Sequence, residues 1–135
     1  MNLTTSNGEL SVGVKMLDCD HRALFETIKE LQAVAAQDAD PRRTGSLLSK
    51  LANFTLTHFA LEEGMMAATK FPGMDLHRLH HQRITEQVAA LASRYNRAGL
   101  PLDSDSLSFL SQLHADHIQQ DDLHYGLWLN AIEKP

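Results

Sequence analysis

Apolar residues along this chain recur at intervals of three and four, the repeat that gathers side chains on one face of an α-helix. The first such stripe is His21, Leu24, Phe25, Ile28, Leu31 and Ala35, and it fades at Gln37-Asp38-Ala39-Asp40. Asp18 stands just before it and reads as its N-cap, which leaves residues 1 to about 17 as an irregular arm. A second stripe carries Leu47, Leu51, Phe54, His58, Leu61, Glu62 and Met65, with Pro41 in the first turn of its helix. Lys70-Phe71-Pro72-Gly73 is a turn signal. The third helix is expected from about Asp75 to Arg97, with His77, His81, Ile84, Val88, Leu91 and Tyr95 on its inner stripe and Gly99-Leu100-Pro101 as its stop. Asp103 or Ser104 can cap a fourth, whose inner face holds Leu107, Leu110, His114 and His117. From Leu123 to Ile132 the tail is apolar enough to dock as a short helix or turn.

No segment sustains the two-residue alternation of a strand, and the helical patterns are joined by short connections. Short connections make neighbouring helices antiparallel. The expected fold is therefore all-α: an up-down-up-down antiparallel four-helix bundle, with an irregular N-terminal arm and a short C-terminal helix or turn. We expect residues 1–135 to form a single domain, since 135 residues suit one domain and can bury a core without disulfides.

Charge and composition mainly exclude. The formal charge of -5 is spread along the chain without a basic run, which argues against a nucleic-acid partner. No apolar stretch has the length of a membrane span. Met1 to Gly8 is polar and lacks the charged start and apolar centre of a signal peptide, and the one cysteine, Cys19, can form no internal disulfide, so a cytoplasmic location is expected. Cys19 itself reads as a small filler.

Eight histidines, by contrast, are more than a small acidic protein needs. Residues four apart on a helix differ by roughly 40° around its axis and share a face. His58 and Glu62 are so spaced, as are His77 and His81, and both pairs lie on apolar stripes. His21 begins the first stripe, and His117 sits late on the fourth. Antiparallel packing then brings all these side chains to one end of the bundle. A buried polar group without a partner costs roughly 1–3 kcal/mol, and an unpaired charge far more. Metal ions satisfy such a set, because imidazole and carboxylate are good ligands for iron.

Several segments carry a resemblance to a known family. They are Leu17-Asp18-Cys19-Asp20-His21-Arg22-Ala23-Leu24-Phe25, His58-Phe59-Ala60-Leu61-Glu62-Glu63, Met65, Phe71-Pro72, the pair His77 and His81, and His117-Ile118 followed by Asp122 and Tyr125-Gly126. In this order and at these separations the sequence resembles the bacterial hemerythrins over nearly its whole length. The resemblance implies two non-haem iron ions (Fe2+/Fe3+) with an oxo or hydroxo bridge. It implies that His77, His81 and His117 hold one iron, that His21 and His58 hold the other, and that Glu62 and Asp122 bridge them. Dioxygen would bind reversibly at the iron with two histidines.

One assignment pulls in two directions. Regular spacing favours Asp121, four residues after His117, as the inward carboxylate, whereas the resemblance selects Asp122. Five residues turn a regular helix about 140° beyond a full circle, so Asp122 requires a π-bulge or a helix end there. Asp122 is the expected ligand, with Asp121 as its fallback.

The sequence also departs from the family pattern. Leu113 and His114 stand where the family usually has a tryptophan and a leucine, and that leucine normally lines the oxygen pocket. His114 there could hydrogen-bond a bound oxygen species or supply a proton, either of which would hasten oxidation of the site. His80 and His124 are expected to face solvent, Glu63 to be a solvated neighbour of Glu62, and Met65, Met66 and Met74 to pack. Three function classes follow: an oxygen carrier, store or sensor; a di-iron oxidase or peroxidase using His114; and an iron-handling or zinc-binding bundle without oxygen chemistry. The expected partners are dioxygen and, for sensing or oxidation, a separate and unidentified signalling or oxidase protein.

Overall fold

The computed structural model describes residues 11–37, 40–97, 99 and 102–133. Its helices are α1 (Lys15–Gln37), α2 (Pro41–Thr69), α3 (Met74–Asn96), α4 (Ser104–His117) and α5 (Leu123–Glu133), with a π-helical turn, Ile118–Asp122, between the last two. There is no strand among the described residues. Helices α1 to α4 form a closed ring of neighbours, α1 against α2, α2 against α3, α3 against α4 and α4 against α1. Side-chain pairs show that neighbours run antiparallel. Late α1 meets early α2 through Glu30 and Arg43, and late α3 meets early α2 where the Tyr95 hydroxyl donates to the Pro41 carbonyl. This is the four-helix bundle that the periodicity predicts.

Local chemistry sets the helix ends. Asp40 is extended and its carboxylate accepts from the Arg42 and Arg43 amides, while Pro41 fills the first helical position where no amide is needed. Lys70 ends α2 in the left-handed region (φ 60°). Its amide donates to the Ala67 carbonyl and that of Phe71 to Met66, the paired bonds of a Schellman motif, with buried Phe71 and Met66 placed for the hydrophobic contact that accompanies it. Asp103, one of the two residues predicted for the role, caps α4 by accepting from the Ser106 amide.

Two expectations need correction. Helix α1 starts at Lys15, ahead of Asp18, so Asp18 is not its N-cap. Its carboxylate instead accepts from the Val12 amide and the Ser11 hydroxyl, and so ties the arm to the first turn. Leu61 is 37% exposed, because the inner face of α2 runs instead through Leu48, Thr55, Phe59 and Met66. The tail forms the short helix expected of it, α5, with Tyr125, Gly126 and Leu129 buried. Helix α5 continues the rod of α4 through the π turn.

The arm crosses that rod closely. A Cβ on Gly126 would lie 1.8 Å from the Val12 carbonyl oxygen, so only glycine lets the two backbones approach. Val12 is buried there, and the Asn130 amide donates to the Gly13 carbonyl. Tyr125, fully buried on α5, shares a hydrogen bond with Thr69 at the end of α2. Arm, α2 and α5 thus lock together at the end of the bundle where the polar residues gather.

Candidate metal centre

Each bundle helix delivers at least one nitrogen or oxygen to the same buried chamber. His21 comes from early α1, His58 and Glu62 from late α2, His77 and His81 from early α3, His117 from the end of α4 and Asp122 from the π turn. All seven are at most 5% exposed. The structure therefore brings together every residue singled out as a ligand.

The π turn gives the two aspartates different surroundings. By widening the helix it carries Asp122 inward to full burial and leaves Asp121 on the flank. Asp121 lies in a smaller, half-open group with His80 and His117.

The two buried carboxylates divide their oxygens between two sets of imidazoles. Glu62 Oε1 lies 3.2 Å from His77 Nε2 and 3.0 Å from His81 Nε2, while its Oε2 lies 2.8 Å from His58 Nε2 and 3.5 Å from His21 Nε2. Asp122 Oδ1 lies 2.9 Å from His77 Nε2 and 3.1 Å from His117 Nε2, and its Oδ2 lies 3.0 Å from His21 Nε2. Two groups of potential ligands result: Glu62, His77, His81, His117 and Asp122 on one side, and His21, His58, Glu62 and Asp122 on the other.

These donors fit metal ions better than they fit one another. The buried Nε2 atoms of His21, His58 and His117, Glu62 Oε2 and both Asp122 oxygens lack a hydrogen-bond partner of proper geometry despite their short separations. They point at shared spaces between them instead of along N–H···O lines. Two donors held at about 2.1 Å from one ion at right angles are about 3 Å apart, close to the separations seen.

Electrostatics agrees. Burial alone would lower the pKa of His21, yet the adjacent carboxylates of Asp122 and Glu62 raise it to about 9. His77 is raised to about 9 in the same way, and Asp122 and Asp121 take His117 to about 10 against its burial. Burial opposes the charge of Glu62, but the close imidazoles of His21, His58, His77 and His81 hold its carboxyl well below the usual range. Burial and the nearby Glu62 charge oppose ionisation of Asp122, and His117 and His21 still hold it below its ordinary value. Without metal, protons do the charge balancing that cations would do.

A layer of carboxylates fixes the imidazoles from behind. His58 Nδ1 donates to Asp20 (3.0 Å), His81 Nδ1 to Glu63 (2.9 Å) and His117 Nδ1 to Asp121 (2.8 Å). A carboxylate only accepts, so each pair leaves the Nε2 lone pair directed inward. Glu63 is thus more than a solvated neighbour: it anchors His81 and pairs with Arg78. Nor does His80 merely face solvent, since its Nδ1 donates to Asp121 at 2.7 Å. Asp20 was missed by reading stripes. The signal was present all the same, because Asp20, Glu63 and Asp121 each adjoin an inward ligand in sequence. One step along a helix turns a side chain by about 100°, toward the neighbouring helix.

The remaining residues divide plainly. Phe59 stacks on the His81 ring (3.8 Å between centroids, 5° between planes) and shields the chamber. His124 is exposed and lies against Phe71, Met66 is buried, and Met65 and Met74 are half-buried. Cys19 is exposed and so is not a filler. His114 is 1% exposed and neither ring nitrogen has a hydrogen-bond partner; burial, then the charges of His117 and His58, push its pKa down to about 3, so its ring is neutral.

A family model described as "Hemerythrin HHE cation binding domain" matches residues 12–129. The chain is 33% identical over 109 residues to the myohemerythrin of Riftia pachyptila, covering 81% of this chain and 79% of that one. It is 27% identical over 126 residues to a bacteriohemerythrin of Stenotrophomonas maltophilia (strain R551-3), covering 93% and 81%. Its fold is similar to a solved wild-type hemerythrin, with a TM-score of 0.86 at 22% identity over 93% of this chain and 96% of that one.

Proposed function

From the premise that the chain belongs to the hemerythrin family, we propose that it holds two non-haem iron ions and binds dioxygen reversibly, as a carrier, store or sensor. His77, His81 and His117 hold one iron, His21 and His58 the other, and Glu62 and Asp122 span both. Residues 1–135 form one domain around this centre. The observation that carries the reading is the division of the two carboxylates, each with one oxygen toward either imidazole set. Three imidazoles would hold one ion and two the other, so the His21–His58 side is the one that would have room for an exogenous ligand.

When bound, the irons would supply the electrons that dioxygen takes up on binding and returns on release. The chain's own contribution is placement. Asp20, Glu63 and Asp121 hold three imidazoles in the tautomer that presents Nε2 inward. Phe59, with the buried leucines beneath, keeps bulk water from a centre whose donors are buried. Five imidazoles and two carboxylates suit reversible binding better than the carboxylate-rich sets of di-iron oxidases, and membership of the hemerythrin family supports a binding protein over an enzyme. The oxidase or peroxidase reading stands second, favoured by one observation, the buried His114.

Metal analysis should give two irons per chain in protein purified without added metal. After anaerobic reduction, admitting air should raise a ligand-to-metal charge-transfer band that vanishes when oxygen is removed. Protein holding two irons that never shows the band overturns the oxygen-binding reading, and zinc alone or one metal per chain overturns the di-iron centre.

A further inference from the structure

The imidazole of His114 stands apart from the five that face the carboxylates. Those five each bring Nε2 within 3.5 Å of Glu62 or Asp122. His114 belongs to neither potential ligand group, and no carboxylate bonds it. It lies one turn before His117 on the inner face of α4, with its ring 6.4 Å from that of Phe59. The charged or chargeable groups near it are His117, His58, Asp122 and His21, drawn from both imidazole sets, so it borders the chamber that the two sets share. Both nitrogens are buried and unbonded. A histidine kept there for packing alone would be poorly chosen, since an apolar side chain would fill the space without burying two polar atoms.

We propose that His114 is a specificity-determining residue, donating a hydrogen bond to the small molecule held in the chamber and so biasing the centre toward small anions. The inference rests on the two-iron reading above. A neutral imidazole carries one N–H and one lone pair, and with neither nitrogen engaged, either tautomer can turn a donor toward the ligand. An anion accepts that bond more strongly than an uncharged ligand does. Full burial limits the ligand to a few atoms. No electron or proton need be transferred: the histidine keeps its proton and lends it in a hydrogen bond.

Azide titration of the oxidised two-iron protein tests this, with His114→Leu and His114→Gln beside the unaltered chain. The Leu variant should bind azide about tenfold or more weakly, as expected for loss of a hydrogen bond to a charged group. The Gln variant keeps a donor and should stay much closer to the parent. The infrared stretch of bound azide should shift between H2O and D2O in the parent and the Gln variant but not in the Leu variant, a signature that a packing role would not move. Equal azide affinity in parent and Leu variant overturns the proposal while leaving the two-iron reading intact, provided that the oxygen-dependent band persists. Loss of an iron in the Leu variant also overturns it, by making His114 a metal ligand. A parent chain without two irons brings down both readings together.

Discussion

The two ends of this bundle are built from the same four helices but by opposite rules. At one end Leu31, Leu47, Leu51, Leu91 and Leu107 fill the space between helices with apolar side chains that need no partner. At the other, five imidazoles and two carboxylates are buried almost as deeply, and several of their atoms have no hydrogen-bond partner of proper geometry. The first end can be satisfied by packing alone. The second is satisfied only by protons or cations, and the arm, the Tyr125–Thr69 bond and the outer carboxylates brace it. Stability and function are therefore concentrated at different ends of one core, and substitutions should separate them.

The largest effect should fall on the polar end. Asp122→Ala removes an oxygen from both ligand groups and should reduce bound iron from two per chain to one or none, by metal analysis. A variant that keeps both irons would remove Asp122 from the centre. Chelation sharpens the same contrast. In the metal-free chain His21, His77 and His117 titrate near 9, 9 and 10, above their unfolded values near 6.5. A raised folded pKa contributes stability that is complete below about pH 6.5 and is lost as pH climbs through 9 to 10. Metal requires neutral imidazoles, so its hold strengthens over that same window. The melting temperature of metal-free protein should thus fall between pH 6.5 and 10, while the gap to the iron-loaded protein widens. A gap that is constant with pH would contradict this.

At the apolar end, Leu51→Ala should cost about 2–5 kcal/mol in denaturant unfolding of metal-free protein, the usual range for a buried leucine. Its iron stoichiometry should remain unchanged. If iron is lost as readily as in Asp122→Ala, the two ends are not separable. A smaller effect is expected for Glu63→Gln, which weakens the acceptor behind His81. Iron affinity should drop about 10–100-fold in a competition with a chelator, with little change in the fold of the metal-free protein. Smallest is Asp103→Ala, which deletes the N-cap of α4 at the apolar end and should lower the melting temperature slightly without touching iron affinity.

Much of this was legible in the residues. The helix stripes, the first-turn proline Pro41 and the cap at Asp103 depend on contacts a few residues apart, so periodicity and residue type specify them. The inward placement of His58 with Glu62, and of His77 with His81, follows from the same repeat. Less legible were Leu61, which the stripe put inside and the structure puts at the surface, and Asp18, whose carboxylate serves the arm instead of the helix start. The width of an inner face depends on how far each helix rotates against its neighbours, and no local rule fixes that rotation.

Sequence by itself determined that four rods would form and that histidines and a glutamate would line their apolar faces, because helical geometry is a property of neighbouring residues. The regular repeat pointed to Asp121 and only the resemblance to Asp122; the structure turns Asp122 inward, through a π turn at Ile118–Asp122. Tertiary structure also decided which carboxylates stand behind the imidazoles and left His114 buried without a partner. Those outcomes depend on distances between residues tens of positions apart, and such distances exist only once the helices have packed.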